Sequence, residues 1–131
     1  MFFEKMPDAE ARRLNPLVLA FVGDAVHSLY VRQGLVLSSD AKAHVLHLKA
    51  AKQVNAAAQS DKVLSLTEGL SEEENEIYHR GRNAKQHTVA KNAAVEDYRR
   101  ASGFEALLGY LYLTGRYERL KELLDSDENR G

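Results

Sequence analysis

The chain has no cysteine and no tryptophan among its 131 residues, and it has only two prolines. The absence of cysteine excludes disulfides, zinc-thiolate centres and thiol nucleophiles, and it fits an intracellular location. No stretch reaches the roughly 18 consecutive apolar residues that a membrane-spanning helix needs. The first residues also lack the pattern of a secretory leader. We therefore expect a cytoplasmic protein with no membrane segment.

The size and composition predict one globular domain over residues 1–131. Hydrophobic residues make up 44% and charged residues 28% of the chain, which is an ordinary globular balance. We expect the charged tail after about residue 125 to be frayed, because chain ends are often poorly ordered. A search along the chain finds no internal repeat and no low-complexity stretch.

Charge is unevenly distributed, although the net charge is only −1. Residues 68–76 carry five glutamates and no basic residue. Residues 79–91 carry no acidic residue but contain Arg80, Arg82, Lys85 and Lys91 together with two histidines. The net charge alone argues against a nucleic-acid-binding protein, but this segment predicts a strongly basic loop.

The fold class predicted from sequence is all-α, because no alternating β-branched run and no hairpin turn signal is present. The first clear helix begins with Asn15 as N-cap and Pro16 at the first helical position. We expect it to run to about Gln33 and to end at Gly34, a typical C-terminal residue of helices. It is apolar nearly all round, which predicts a central position in the fold.

N-cap residues and helix-ending glycines predict the boundaries of further helices. Ser71 and Glu74 form the pattern of a capping box, which predicts a helix that ends near Arg82. Residues 83–94 look like a polar loop. The other predicted helices are 40–58 with Ser39 as N-cap, a short helix after Ser60, residues 95–114 ending at Gly115, and Tyr117 to Leu124.

Glycines in the interior of the predicted helices need a packing reason, since each costs about 1 kcal/mol relative to alanine. Gly23 lies in the first long helix, and Gly103 and Gly109 lie in the helix over residues 95–114. We expect these two helices to cross closely at their glycines. Such a crossing would bring Asp24 and Glu105 together.

Asp24 and Glu105 are lone acids within apolar segments. The positions four residues before and after Asp24 are Ala20 and Ser28, so no cation lies one helical turn away. A carboxylate taken out of water pairs, protonates or binds a metal. Oxygen ligands from Asp and Glu suit Mg²⁺ or Mn²⁺, which can activate water and polarise a phosphodiester. The alternative is that each acid forms a hydrogen bond within the core.

Other candidate groups carry weaker signals. His44 and His47 are spaced to share one helix face and could hold zinc, but no third ligand follows at a suitable spacing. His27 lies one turn after Asp24 and could support it, although a packed helix histidine is the simpler interpretation. Tyr110 and Tyr112 fit a core or interface better than a platform for stacking bases.

Two segments resemble the signature helices of the ribonuclease III endonuclease domain: Phe-Val-Gly-Asp-Ala-Val over residues 21–26 and Phe-Glu-Ala-Leu-Leu-Gly over residues 104–109. The resemblance covers roughly residues 14–115 and includes Arg-Gly-Arg-Asn-Ala-Lys over residues 80–85. It implies that Asp24 and Glu105 are catalytic metal ligands. Two further acids of the family pattern are replaced here by Ala20 and Ser102. We expect no double-stranded-RNA-binding domain after residue 131. With the two replaced acids, this resembles a short form of the family.

The resemblance implies a helical ribonuclease III-like fold, a homodimer, and hydrolysis of double-stranded RNA that depends on Mg²⁺, with Mn²⁺ able to substitute. Each protomer would cut one strand and leave short 3′ overhangs. The substrate implied is the precursor of large-subunit (23S) ribosomal RNA, and a ribosomal protein on that RNA is a candidate partner.

The two missing acids predict weaker metal binding and more reliance on water and RNA phosphates as ligands. RNA affinity would have to come from the catalytic domain itself. Two alternatives stay open: a non-catalytic module that binds double-stranded RNA, and a structural helical dimer with incidental acids. The residues expected to contact RNA are Arg80, Arg82, Asn83, Lys85, Lys91 and Asn92.

Overall fold

The computed structural model describes residues 2–84 and 94–126, and this part of the chain contains α-helices, one short 3₁₀ turn and no strand. The all-α prediction is therefore confirmed. In chain order the elements are α1 (Asp8–Arg13), α2 (Pro16–Ser38), α3 (Ala43–Val54), α4 (Ala56–Leu66), the 3₁₀ turn (Thr67–Gly69), α5 (Glu72–Asn83), α6 (Ala94–Leu113) and α7 (Tyr117–Asp125).

Helix α6 lies at the centre of the fold and packs most extensively against α2, α5 and α4. Its side chains at Phe104, Leu107, Leu108 and Leu111 are completely buried. Burial of such side chains is the main favourable term in folding, at about 1.5–3 kcal/mol for each one. The core therefore surrounds the helix that carries Glu105.

Helices α2 and α6 cross at two glycines, as the sequence predicts. A Cβ atom added to Gly23 would lie 1.7 Å from the backbone oxygen of Glu105, and one added to Gly109 would lie 1.9 Å from the oxygen of Leu19. Only glycine allows the two backbones to approach so closely. Gly103 has a different neighbour, because it faces the ring of Tyr78 on α5.

The boundaries of two predicted helices are wrong. Helix α2 begins at Pro16 with the Asn15 side chain accepting a hydrogen bond from the Leu17 amide (2.8 Å), but it continues through Gly34 to Ser38. A glycine ends a helix only where the backbone turns to positive φ, and Gly34 does not do so.

The predicted helix over residues 40–58 is in fact two helices. The chain breaks at Asn55, whose side chain accepts a hydrogen bond from the Ala58 amide (2.8 Å) and caps α4. Ser39 does not cap α3, which begins after Lys42. Helix α4 then runs without a break through Ser60 to Leu66.

The predictions for the last three helices are confirmed. Ser71 and Glu74 form both hydrogen bonds of the capping box at the start of α5. Gly115 follows α6 with a φ of +77°, and α7 covers the predicted residues. The short helix α1 was not predicted; it is tied to the core by Ala11, which is completely buried.

A network around Glu73 holds α1, α5, α6 and the start of α7 together. Its carboxylate accepts from the guanidinium groups of Arg12 (2.8 Å) and Arg116 (3.0 Å) and from the Tyr110 hydroxyl. Burial opposes the ionisation of Glu73, but these hydrogen bonds outweigh it and lower its pKa to about 2. The side chain of Tyr110 is completely buried, which confirms its interpretation as a core residue.

One side of α2 remains exposed, although the helix was expected to be buried nearly all round. Phe21 is 79% exposed, Leu37 is 78% exposed and Leu29 is 53% exposed. With Phe2, Tyr112, Leu120 and others they line an apolar groove of about 910 Å³ between α2 and α7. None of the described helices combines the length and hydropathy needed to cross a membrane.

Candidate metal centre

The crossing of α2 and α6 opens a cleft of about 350 Å³ that contains both predicted carboxylates. Asp24 reaches it from α2 and Glu105 from α6, because Gly23 packs directly on the backbone of Glu105. The remaining lining residues are Leu17, Ala20, Phe21, Val54, Ala56, Gln59, Tyr98, Ala101 and Ser102.

The two carboxylates differ in exposure. Glu105 is half-buried, but Asp24 is exposed. The expectation that Asp24 is taken out of water is therefore wrong for the isolated chain. The apolar sequence around it reflects two different surfaces: Leu19, Gly23 and His27 face the core, whereas Phe21 and Leu29 are exposed on the groove side.

The two acids repel each other when both are ionised. Burial is the first cause that raises the pKa of Glu105 to about 8, and a hydrogen bond and the negative charge of Asp24 raise it further. A hydrogen bond from Gln59 acts in the opposite direction. A divalent cation between the carboxylates would remove the repulsion, and carboxylate oxygens are ligands that Mg²⁺ and Mn²⁺ accept. The residues present therefore fit such an ion.

The set of protein ligands is small. Residues 2–84 and 94–126 contain no group of three or more His, Cys, Asp or Glu side chains that could hold a metal. Ala20 and Ser102, the positions where the family pattern has acids, both line the cleft beside Asp24 and Glu105. The departures from the family pattern thus lie at the site itself, and only two carboxylates remain to hold a cation.

Two buried polar residues support the cleft and were not identified as a pair from the sequence. Gln59 of α4 is 2% exposed and His27 of α2 is 3% exposed, and their side-chain nitrogens lie 2.9 Å apart. Burial, followed by the charge of Lys62, lowers the pKa of His27 to about 4, so its ring is neutral at neutral pH. No sequence signal pairs residues 32 positions apart; they meet because α2 and α4 both pack against α6.

The residues predicted to contact RNA do not form one cluster among the described residues. Arg80 donates to the backbone oxygens of Arg12 (2.8 Å) and Leu14 (3.2 Å), so its guanidinium holds the chain before α2. Arg82 is half-buried and Asn83 is exposed at the end of α5. That end lies beside the cleft, because Gly81 packs against the backbone of Ser102. Lys85, Lys91 and Asn92 lie outside the described residues.

A second basic surface was missed in the sequence. Residues 41–60 contain no acidic side chain, a signal as plain as the one at residues 79–91. Five basic or histidine side chains in α3 or at its start are exposed, on several sides of the helix: Lys42, His44, His47, Lys49 and Lys52. The helix ends at Val54, which lines the cleft. His44 and His47 have no third metal ligand among the residues that the structure describes.

The fold and the sequence match a known protein family. The family model described as the ribonuclease III domain matches residues 17–116, which include both helices of the cleft. The crystal structure of a protein from Fusobacterium nucleatum has the same fold, with a TM-score of 0.81 and 30% sequence identity. That match covers 90% of this chain and 94% of the other.

Relatives with similar sequences identify the group within this family to which the chain belongs. Mini-ribonuclease 3 of Thermoanaerobacter sp. is 52% identical over 112 residues, covering 86% of this chain and 79% of that protein. Mini-ribonuclease 3 of Enterococcus faecalis is 50% identical over 116 residues, covering 87% of this chain and 88% of that protein. The chain belongs to the Mini-ribonuclease 3 group of the ribonuclease III family, the short form that the sequence departures predict, and it is a ribonuclease.

Proposed function

We propose that the protein hydrolyses phosphodiester bonds in double-stranded RNA with a Mg²⁺ ion held between Asp24 and Glu105. Its family membership makes it an endoribonuclease of double-stranded RNA, and divalent-metal dependence is general in that family. The observation that carries the assignment of the site is the meeting of these two carboxylates in one open cleft at the α2–α6 crossing.

The two carboxylates have different tasks in this mechanism. Glu105, half-buried and hydrogen-bonded by Gln59, is the fixed ligand, whereas Asp24 is the exposed ligand on the side from which RNA approaches. The small side chains of Ala20 and Ser102 leave space in the cleft for water and phosphate oxygens. The ion supplies, when bound, the charge that activates the attacking water and stabilises the departing oxygen.

The small ligand set makes the metal affinity dependent on the substrate. Mg²⁺ keeps several waters and takes one or two protein carboxylates together with substrate phosphates. With Ala20 and Ser102 in place of acids, we expect weaker binding to the free protein than in relatives with four carboxylates. A metal titration of activity that saturates as tightly as in such relatives would contradict this expectation. Mn²⁺ accepts the same oxygen ligands and is expected to replace Mg²⁺.

A homodimer is supported by the exposed apolar side of α2. Large exposed apolar patches on a soluble domain indicate an interaction site. Phe21 lines both the apolar groove and the catalytic cleft, so a second copy seated on α2 would lie against the edge of each active site. Two adjacent active sites, one from each protomer, would cut the two strands of one RNA duplex.

RNA is held by basic side chains around the cleft. A-form RNA is recognised mainly through its shape, phosphates and 2′-hydroxyls rather than through base edges. The C-terminal end of α3, which carries Lys52, and the end of α5 lie beside the cleft, and the predicted contacts Lys85, Lys91 and Asn92 follow α5 in the chain. We place Arg82 and Asn83 at this interface, while Arg80 holds the backbone behind it.

The proposed substrate is the precursor of 23S ribosomal RNA in the cytoplasm, with a ribosomal protein on that RNA as a candidate partner. This assignment rests on the resemblance to the family. A second candidate function, a non-catalytic module that binds double-stranded RNA, is favoured by one observation: only two carboxylates line the cleft, where Ala20 and Ser102 replace the acids of the family pattern.

Cleavage of a long RNA duplex with Mg²⁺ or with a chelator separates the two functions. Asp24→Asn and Glu105→Gln should each reduce cleavage at least about 100-fold, because loss of a residue that merely supports a ligand already costs about 10–100-fold. Asp61→Asn is the matched control, since Asp61 is an exposed acid of α4 outside the cleft. Circular dichroism checks that each variant is folded. Duplex binding without cleavage, in Mg²⁺ and in Mn²⁺, would establish the non-catalytic module instead.

A further inference from the structure

Gln59 is a polar side chain of α4 that lines the catalytic cleft and has almost no access to solvent. Its side chain is 2% exposed, and it lies among the same lining residues as Asp24 and Glu105. A buried amide that makes no hydrogen bond costs about 1–3 kcal/mol in protein mutational data. The hydrogen-bond partners of its amide group explain how Gln59 can be buried at the edge of the core.

The Gln59 side chain interacts with His27 on one side and with Glu105 on the other. Nε2 lies 2.9 Å from Nδ1 of His27, and the side chain also forms a hydrogen bond with the carboxylate of Glu105. A neutral imidazole nitrogen accepts a hydrogen bond from an amide, which assigns the two roles. The chain of contacts Glu105–Gln59–His27 therefore crosses α6, α4 and α2.

His27 is held firmly enough to serve as the anchor of this chain. It is 3% exposed, and its ring packs edge-on against Phe104 with the ring centroids 5.6 Å apart. Phe104 is completely buried and directly precedes Glu105 in α6. The amide of Gln59 is thus fixed by His27 in the same cleft as Glu105, whose ionised form it stabilises.

We propose that Gln59, anchored by His27, is a positioning residue that holds the Glu105 carboxylate in the orientation that binds the divalent cation. The inference rests on the proposed metal site. Hydrogen bonds to the ligands of a metal commonly fix ligand orientation in this way. An amide suits the role better than Lys or Arg, because it binds one carboxylate oxygen without adding a positive charge that would repel the cation.

The small ligand set makes such positioning important at this site. With two carboxylates instead of four, each ligand contributes a larger share of the binding free energy, and a mobile Glu105 would have to be ordered when the cation binds. Loss of a hydrogen-bond partner of a metal ligand typically costs about 10–100-fold in metal affinity. We expect an effect of this size for Gln59.

The test measures Mn²⁺ binding to the RNA-free full-length protein by electron paramagnetic resonance for Gln59→Met and wild type. Methionine has a similar volume to glutamine but donates no hydrogen bond. The expected result is a rise in the Mn²⁺ dissociation constant of about 10-fold or more. Cleavage assays should show a matching shift in the Mg²⁺ midpoint, with most of kcat recovered at saturating metal, because Glu105 itself is still present.

Ser60→Ala is the matched control. Ser60 is the next residue of α4, is completely buried, and its hydroxyl has no hydrogen-bond partner among the described residues, so its removal should leave the Mn²⁺ affinity unchanged. Wild-type affinity in Gln59→Met would overturn the positioning role while leaving the proposed function intact. Mn²⁺ binding to wild type that Asp24→Asn and Glu105→Gln both leave unchanged would overturn both.

A measurement on the unmodified chain decides the question if Gln59→Met does not fold. The side-chain amide resonances of Gln59 in an NMR spectrum should shift on addition of Mg²⁺, because the hydrogen bond to Glu105 weakens when the carboxylate binds the cation. The shift should saturate at the same Mg²⁺ concentration as the backbone amides of the cleft. Gln59 side-chain resonances that stay unchanged while the cleft resonances move would overturn the inference.

Discussion

The surroundings of Glu105 oppose ionisation of its carboxyl group. Burial, together with the nearby carboxylate of Asp24, raises the pKa of Glu105 to about 8. Near neutral pH the metal-free site therefore retains a proton that a cation must displace. Metal ligands have to be deprotonated, so metal binding at the proposed site should be coupled to pH.

The first prediction concerns the stability of the metal-free protein. The pKa of Glu105 is about 8 in the folded state, higher than its ordinary value of 4.5. Between these two pH values the folded state binds more protons than the unfolded state, so stability falls as the pH rises. Chemical denaturation in chelator should therefore show wild type losing stability relative to Glu105→Gln from about pH 4.5 to about pH 8.

Addition of Mg²⁺ should reverse this trend, because the ionised pair binds the cation and the bound ion stabilises the folded state. The stabilisation by Mg²⁺ should be larger at pH 8 than at pH 6 and absent in Glu105→Gln. A difference between wild type and Glu105→Gln that does not depend on pH would show that Glu105 titrates normally in the folded protein.

At the scale of helices, the site depends on how closely α2 and α6 approach each other. Added Cβ atoms at Gly23 and Gly109 would overlap backbone oxygen atoms at 1.7 Å and 1.9 Å, distances that no side-chain rotation can relieve. The two helices would have to separate. The same separation would move Asp24, which follows Gly23, away from Glu105.

The second prediction is that Gly23→Ala and Gly109→Ala lower the free energy of unfolding by about 3 kcal/mol or more, the upper range for overpacking. Gly34→Ala is the matched control within α2, since a Cβ there meets nothing within 4 Å. It should raise the free energy of unfolding by about 0.5–1 kcal/mol, because alanine is the better helix former. Urea denaturation measures all three, and a stable Gly23→Ala with unchanged cleavage would contradict the close crossing.

At the scale of the whole molecule, two exposed surfaces are candidate interfaces. One is the apolar side of α2, and the other is formed by the basic residues of α3 and α5 near the cleft. These surfaces serve different contacts: the apolar surface contacts protein, and the basic surface contacts phosphates. Phe21 lies in the apolar groove and in the cleft, so the two surfaces meet at the proposed active site. Protein assembly and RNA cleavage should therefore be coupled.

The third prediction tests the proposed dimer. Leu29→Lys and Leu37→Lys place charges in the apolar groove and should convert the dimer into a monomer, because a buried unpaired charge strongly opposes association. Leu64→Lys is the control, since Leu64 is an exposed leucine of α4 outside the groove. Light scattering after size-exclusion chromatography measures the mass, and cleavage should fall with dimer content. Groove variants that remain dimeric would place the interface elsewhere.

The fourth prediction concerns the RNA surface. Lys49→Ala and Lys52→Ala on α3, like Lys85→Ala and Lys91→Ala, should weaken duplex binding and reduce its salt dependence. Each lost phosphate contact should lower the slope of log affinity against log salt by about 0.7–0.9. Arg13→Ala on α1 is the control. Fluorescence anisotropy at several salt concentrations gives the slopes, and an unchanged slope would remove that residue from the interface.

Local chemistry made much of the fold predictable. The Asn15–Pro16 start of α2, the Ser71–Glu74 capping box and the glycine at residue 115 are all formed by neighbours in sequence, so their effects do not depend on distant packing. The meeting of Asp24 and Glu105 was also predictable, since glycine in a helix interior indicates a close approach of backbones. The errors at Gly34 and at residues 40–58 arose where a local signal had no effect or was overlooked.

The sequence by itself determined the helical class, the two carboxylates, the replacement of two acids by Ala20 and Ser102, and the family. These depend on residue identity and short-range spacing. Only the tertiary structure decided that Asp24 is exposed, that α2 leaves one apolar side uncovered, and that Gln59 and His27 meet behind Glu105. The physical reason is that exposure and contact between distant residues arise from the packing of whole helices, which no single segment encodes.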